Sequence, residues 1–341
     1  MSETSRAKHP TNPTPAHQFL TLVYSSAMGQ VVSVAAELRI ADLLADGPKS
    51  VQEIATATNA NALALTSIMR TLGALDLVTE TPSGTFELTE VGEIMRSHKP
   101  GSLGKFAARA NRDYFHSMWA NLMHSVKTGE SAYEAVHGMT SYEFYQQHPE
   151  EQALYQEAMS EQTHMEALGV RDSYDFSNVK TVVDAGGGRG YLLKTILDAN
   201  PMLKGILFDL PAVVDGAAQT FESPGLAGRA SVVEGNFFEG LPRGGDLYIF
   251  KRVFVDKTDE QAMQVLTNCR AALDAEGKVL IIDTDISSLY GKLFDIFVLG
   301  MFGSRIRDEE EWHSLFADTG FQFTRTINAD SALMLVEAKA V

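Results

Sequence analysis

Cysteine is almost absent from this sequence: Cys269 is the only one in 341 residues, so no internal disulfide can form and no cysteine-rich zinc site can be built. Basic charge is scarce as well. Lys and Arg number 28 against 44 Asp and Glu, a formal net charge of −16. That balance works against a broad phosphate-backbone contact, which needs clustered cations, and against anionic membrane surfaces. No apolar run approaches the ~20 residues needed to span a bilayer. The best local stretch, Leu293–Phe302, is too short and contains Asp295, and reads as a buried helix. No group of His, Cys and carboxylates has the spacing of a metal site. A cytoplasmic globular protein without nucleic-acid or membrane partners fits these absences.

What is present is ordinary for a folded chain: 45% hydrophobic and 21% charged residues, with length enough for two domains. Residues 1–16 are polar, carry Pro10, Pro13 and Pro15, lack the apolar core of a signal peptide and read as a disordered tail. Beyond them the rhythm is helical. Leu20, Val23, Tyr24, Met28, Val31, Val32 and Ala35 follow the spacing of one long amphipathic helix, Phe19–Leu38. Ser50-Val-Gln-Glu53 has the form of a capping box, Leu63–Leu77 reads as a further helix, and Val78–Thr89 as two short strands around Pro82-Ser-Gly84. Helices followed by a small hairpin outline a winged helix over residues 17–100, with a helical segment over 101–170. From 171 to 341 apolar strands alternate with helices. The strands expected are Thr181–Ala185, Gly205–Asp209, Ala230–Val233, Asp246–Phe250 and Lys278–Asp283, with Ala332–Ala338 as an edge strand. That alternation predicts a Rossmann-like α/β domain with a parallel sheet.

The sharpest local signal is Val182-Val-Asp-Ala-Gly-Gly-Gly-Arg-Gly190, a strand running into a glycine loop and then a helix. Glycines there let backbone approach a ligand closely. A dinucleotide fingerprint starting at Gly186 would need glycine where Tyr191 stands, and no Gly-Lys-Ser/Thr follows to make a phosphate-binding loop. The next strand ends in Phe208-Asp-Leu-Pro211, whose acid is placed to hold ribose hydroxyls. A ligand with adenosine and no pyrophosphate suits this pair of features.

In order and spacing, Val183-Asp-Ala-Gly-Gly-Gly-Arg-Gly190, Phe208-Asp-Leu-Pro211, Gly235-Asn-Phe-Phe238, Lys251-Arg-Val253, Asp259-Glu260, Asn268-Cys-Arg-Ala-Ala272 and Gly303-Ser-Arg305 through Trp312 resemble the plant caffeate-type and bacterial antibiotic-tailoring O-methyltransferases. Trp119, Lys127-Thr-Gly129 and Met159 extend the resemblance to about residues 20–340. It implies a homodimer that takes S-adenosyl-L-methionine and a small aromatic substrate in secondary metabolism, with the N-terminal domain serving dimerisation. Position by position, it implies that Gly186 and Gly188 approach the methionine portion and that Asp209 holds the ribose. Asn236, where the family more often has Asp, borders the adenine with Phe237, while Lys251 and Thr163 seat the carboxylate end. Substrate positions fall on Phe115, Trp119, Tyr155, Met159, Gln162, Phe297 and Met301, and Arg305 and Arg307 brace the adjoining loop.

The catalytic pattern departs from the family. Where Lys-Arg-Val is usually followed by Leu-His-Asp, with His as general base, this chain reads Phe254-Val255-Asp256. The two carboxylates that flank that His fall on Asp283 and on Ile306. Asp283 and Asp256 are therefore the catalytic candidates, with His164 and His124 as substitutes for the base, and a histidine restored at position 255 is expected to be tolerated. Three readings stay open. Methyl transfer to an acidic hydroxyl, or to nitrogen or carbon of an electron-rich ring, proceeds by orientation alone; a residue elsewhere replaces the base; or the fold keeps the cofactor and catalyses hydroxylation, decarboxylation or cyclisation. A ligand-sensing DNA-binding regulator is the remote alternative, disfavoured because Asn61–Leu77 carries Arg70 and otherwise reads mainly Ala, Leu, Ile and Thr.

Overall fold

A computed structural model describes residues 14–214, 216–223, 225–329 and 332–341. Most of the tail expected over residues 1–16 lies outside them. Pro15 and Ala16, assigned to that tail, instead open the first helix, with Thr14 as its cap and proline in the first turn. The chain divides into two compact units, the first ending at Arg112 and the second running Asp113–Val341.

The first unit is mainly helical: α1 (Pro15–Val23), α2 (Ser25–Glu37), α3 (Ile40–Leu44), α4 (Val51–Thr58), α5 (Ala62–Ala74), the hairpin β1 (Val78–Glu80) and β2 (Phe86–Leu88), and α6 (Gly104–Ala110). The single helix expected over Phe19–Leu38 is broken into α1 and α2, bent by 52°. The break falls at Tyr24, which ends α1 just before Ser25-Ser26 open α2, serine being a modest helix former. Ser50 and Glu53 do form the capping box that starts α4. Ile54, Leu65, Met69, Leu72, Val78 and Phe86 make the buried core. Phe19, Leu22 and Val23 on α1, and Tyr24 at its end, stay exposed.

The second unit begins with α7 (Asp113–Ala120), α8 (Leu122–Thr128), α9 (Ala132–His137), α10 (Ser141–Gln147) and the long α11 (Pro149–Ser173). The sheet follows as β3 (Thr181–Ala185), α12 (Tyr191–Ala199), β4 (Lys204–Asp209), α13 (Pro211–Val214), β5 (Ala230–Glu234), β6 (Leu247–Lys251), α14 (Asp259–Ala272) and β7 (Lys278–Thr284). The chain ends with α15 (Leu289–Phe302), α16 (Glu309–Asp318), β8 (Phe321–Ala329) and β9 (Leu333–Ala340). Strand order is β5-β4-β3-β6-β7-β9-β8. The first five are parallel, and β9 pairs antiparallel with both β7 and β8. Both sheet faces are covered, as parallel sheets require. Val182, Leu247, Leu280 and Ile282 pack on one side, and Val183, Phe250, Val279 and Ile281 on the other. On α12, Leu192, Leu193, Ile196 and Leu197 are buried in the first of these layers, each contributing about 1.5–3 kcal/mol.

Two expectations need correction. The C-terminal strand is not an edge: β9 lies inside the sheet, and the edge beside it is β8, whose polar residues hid its strand rhythm. Nor is Leu293–Phe302 a fully buried helix. Leu293 and Ile296 face outward on α15, while Val298, Gly300 and Met301 face in.

Candidate functional site

The strand order reverses between β3 and β6, and open α/β sheets take ligands at the carboxyl ends of strands beside such a switch point. The glycine loop leaves β3 there, and Asp209, Asn236, Lys251 and Asp283 sit at the ends of β4 to β7. The sheet topology thus brings together residues scattered over a hundred positions.

Asp209 shapes the loop directly. Its carboxylate accepts the Gly188 N–H at 2.9 Å and the Leu210 N–H at 2.7 Å. Burial raises its pKa. Gly188 has φ +60, and a Cβ added there would meet nothing within 4 Å. Its backbone therefore faces open space in a conformation that favours glycine. Beneath the loop Asp184 is buried, which pushes its carboxyl up to about 7 against the pull of Lys251. Asn236 Oδ1 accepts the Phe238 N–H at 3.0 Å, and its second lone pair remains. The Phe237 ring reaches within 3.7 Å of the point where a Gly186 Cβ would stand.

Across the crevice, α11 supplies a buried ionic knot. Glu166, 1% exposed, pairs with Lys251 Nζ at 2.7 Å and with Arg252 Nη2 at 2.5 Å. Despite its burial, these two cations hold its carboxyl down at about 2. Lys251 also donates to Thr163 Oγ1 at 3.2 Å, so the pair expected to seat the cofactor's carboxylate end is joined. Arg252 has φ +55, a left-handed backbone unusual outside glycine and often found at functional sites. Its guanidinium donates to Thr284 Oγ1 at 2.6 Å and lies 4.5 Å from the Phe294 ring centroid. Gln162 donates to Glu166 Oε1 at 3.0 Å and to the Tyr290 hydroxyl at 3.4 Å.

An open glycine backbone, a carboxylate at the tip of β4 and a cation with a hydroxyl at the tip of β6 fit the donor and acceptor groups of an adenosyl amino acid. Gly186, Gly188, Asp209, Asn236, Phe237, Lys251 and Thr163 are the residues that would hold it.

The catalytic candidates separate. Asp283 is buried at the end of β7, accepts the Thr284 N–H at 2.7 Å, and burial raises it to about 6. Asp256 is engaged elsewhere: one oxygen accepts from the Tyr142 hydroxyl at 3.0 Å and the other pairs with Lys257 at 2.6 Å. His164 bonds the Ser160 carbonyl at 2.9 Å and packs on Tyr191, while His124 faces Glu130 at 3.6 Å. Val255 and Ile306 are buried together with Val298 in one apolar cluster, flanked by Ile286, Phe294, Phe297 and Phe302.

Of the positions expected to meet substrate, Phe115, Trp119, Tyr155, Phe297 and Met301 fall in an adjoining aromatic cluster, and Met159 and Gln162 lie on α11 outside it. Phe297 lies 5.8 Å from Phe115 and 6.1 Å from Trp119 between ring centroids, and Tyr155 stacks on Tyr145 at 4.7 Å. Phe115 and Met301 are 2% exposed and belong to its core, whereas Trp119 reaches the surface and Met159 is half-buried. Arg307 braces the loop, bonding Asp259 and the carbonyls of Phe254 and Lys257, and Arg305 pairs with Glu311. Sequence reasoning missed Glu166, Arg252, Tyr290 and Phe294. Arg252 stands in the Lys251-Arg-Val253 motif, where the resemblance implied no role for it. The other three carried no local signal.

Comparison with known proteins agrees with this geometry. Residues 119–322 match the model of an O-methyltransferase domain, and residues 20–97 that of an O-methyltransferase dimerisation domain. The chain is 37% identical to a phenazine O-methyltransferase of Lysobacter antibioticus, with 92% of each chain covered. It is 34% identical to an O-demethylpuromycin-O-methyltransferase of Streptomyces alboniger, covering 94% of this chain and 87% of the relative. Among solved structures, a methyltransferase of calicheamicin biosynthesis in its S-adenosylhomocysteine-bound form superposes with a TM-score of 0.88 at 29% identity, over 97% of this chain and all of the other.

Proposed function

The chain belongs to the O-methyltransferase family, with S-adenosyl-L-methionine as methyl donor and a dimerisation domain that supports a homodimer, and we propose that it methylates a small aromatic acceptor without a protein base. When bound, the cofactor supplies a methyl group on a sulfonium already activated for transfer. The chain's own residues hold and orient. Lys251, Thr163, Asp209 and the glycine loop fix the donor, and the aromatic residues Phe297, Trp119 and Tyr155 position a flat ring.

The observation that carries this reading is the burial of Val255 against Ile306 and Val298. The two positions where the family places a base and its carboxylate are apolar and buried in one cluster, and neither can take a proton. An acceptor whose hydroxyl ionises near neutrality needs no base. Asp283 is the polar group left of the family's catalytic set, and Asp256, committed to Tyr142 and Lys257, takes no part. Removing a general base typically costs ~10²–10⁴ in rate, which orientation worth ~7–11 kcal/mol offsets. O-methylation is favoured. N-methylation is close at hand, since one relative, 33% identical, is an N,N-dimethyltransferase acting on 8-amino-8-demethylriboflavin.

We assign dimerisation to a winged helix over residues 17–100, a share of the substrate pocket to residues 101–170, and the cofactor to 171–341. The setting is the cytoplasm, which suits the lone, buried Cys269, and there are no nucleic-acid or membrane partners, in keeping with the acidic charge. The same apolar surface beside fixed charge supports a second reading, a reaction other than methylation run with the cofactor held. To decide, the protein is incubated with S-adenosylmethionine and acidic phenols, anilines and activated ring carbons, and products are identified by mass spectrometry. A methylated product with S-adenosylhomocysteine supports the first reading. Bound, unconsumed S-adenosylmethionine with no methylated product across the panel favours the second.

A further inference from the structure

The ionic knot fixes hydrogen-bond polarity at the residues beyond it. Glu166 is held ionised by Lys251 and Arg252, so its Oε1 can only accept. Gln162, 6% exposed, must therefore turn its amide nitrogen toward Glu166, which settles which end of the amide is which. That nitrogen also donates to Tyr290. The Gln162 carbonyl oxygen is left as an acceptor, with no protein donor among the described residues. Tyr290 receives the Gln162 N–H, and the guanidinium of Arg252 lies beside it. Its own hydroxyl proton is thus free to donate, and no protein acceptor for it is found among the described residues. Tyr290 is partly exposed, and its ring is stacked in line with Phe294, which flanks the cluster holding Val255 and Ile306. An acceptor oxygen and a donor hydroxyl accordingly stand side by side, between the cation at the tip of β6 and the apolar surface.

We propose that Gln162 and Tyr290 form a donor–acceptor pair selecting an aromatic acceptor whose ring carries a neutral group with an N–H or O–H beside a C=O, a carboxamide above all, over one carrying a carboxylate. A carboxamide donates to the Gln162 carbonyl and accepts from Tyr290. A carboxylate has no proton for Gln162 and meets its carbonyl oxygen lone pairs. A site that hydrogen-bonds a group in both directions discriminates against one that can bond in only one of them. The inference rests on the methyltransferase reading and narrows its substrate class.

The test is a calorimetric titration of protein loaded with S-adenosylhomocysteine, at pH 7.5, using 3-hydroxynaphthalene-2-carboxamide, 3-hydroxynaphthalene-2-carboxylate and 2-naphthol. The carboxamide is expected to bind at least about tenfold more tightly than the carboxylate, the effect of one unmade hydrogen bond. Tyr290→Phe, at a partly exposed position, should weaken the carboxamide about tenfold and leave 2-naphthol within about twofold. Equal or tighter binding of the carboxylate, an equal loss on 2-naphthol, or no binding of the carboxamide overturns the pair. Binding of S-adenosylhomocysteine in the loading step reads the methyltransferase assignment separately, so a missing preference in loaded protein counts against the pair alone.

Discussion

Replacing Glu166 with Gln removes one charge from the knot and little else. The carboxylate is 2.7 Å from Lys251 Nζ and 2.5 Å from Arg252 Nη2, with side-chain exposures of 1%, 11% and 13%. At an effective dielectric constant of about 20, a unit pair at these distances interacts by roughly 6 kcal/mol, much of it offset by the cost of desolvating three ions. Breaking such a pair leaves buried charge uncompensated and typically costs about 3–5 kcal/mol. Glutamine keeps one hydrogen bond, so the lower end, about 3 kcal/mol, applies. At roughly 2–4 °C per kcal/mol for a unit of this size, Glu166→Gln should lower the unfolding temperature by about 6–12 °C at pH 7.5 in scanning calorimetry. The pH dependence gives a stricter check. The folded-state pKa of Glu166 is about 2 against 4.5 unfolded, so its stabilisation is full above about 4.5 and is lost as pH falls toward 2. The gap between wild type and variant should hold from pH 8 to 5.5 and narrow below pH 4.5. A variant unfolding within about 1 °C of wild type, or a gap unchanged down to pH 3.5, would refute the reasoning.

Val255→His, expected from the sequence to be tolerated, puts an imidazole into the cluster of Val255, Val298 and Ile306. Overpacking and an unpaired ring nitrogen should together cost about 2–6 kcal/mol, with no gain in turnover. Wild-type melting and faster methylation of weakly acidic phenols would contradict this. Gly187→Ala and Gly188→Ala should split stability from binding. The added Cβ at 187 would stand 2.5 Å from Asp184 Cγ, whereas at 188 it meets nothing. The first should therefore lower melting temperature, and the second chiefly weaken the cofactor beyond a backbone strain of about 1 kcal/mol; equal melting losses would speak against the loop's orientation. Asp184 is raised to about 7 from 3.8, so its contribution to stability is full below about 3.8 and is lost as pH rises through 7. Asp184→Asn should gain on wild type between pH 5 and 8 in thermal melts, and a flat difference would contradict the buried assignment.

The sheet was legible because its signals are local. Five apolar strands, the glycine loop after β3 and the acid at the tip of β4 each lie within a few residues, and the parallel order follows from the alternation with helices. The missed strand β8 places polar Gln322, Thr324 and Arg325 on an edge, with a register shift between Phe323 and Arg325 that breaks the alternation. The break at Tyr24 escaped because apolar periodicity continues across it from α1 into α2. Within the site, the ligand-facing ends of the strands could be read from order in the chain. The knot could not, because Glu166 meets Arg252 across 86 positions and Gln162 meets Tyr290 across 128. Nothing in one segment marks the partner in another. The loss of polar chemistry at positions 255 and 306 was visible residue by residue, but only packing shows that the two form one surface.

The most direct measurement of the central claim is the pH–rate profile of methyl transfer for a series of acceptors of graded hydroxyl acidity. If no protein group takes the proton, the inflection in kcat/KM must move from acceptor to acceptor, following each hydroxyl's own pKa. An inflection that stays at one pH across the series would report an ionising group of the protein and contradict the base-free account.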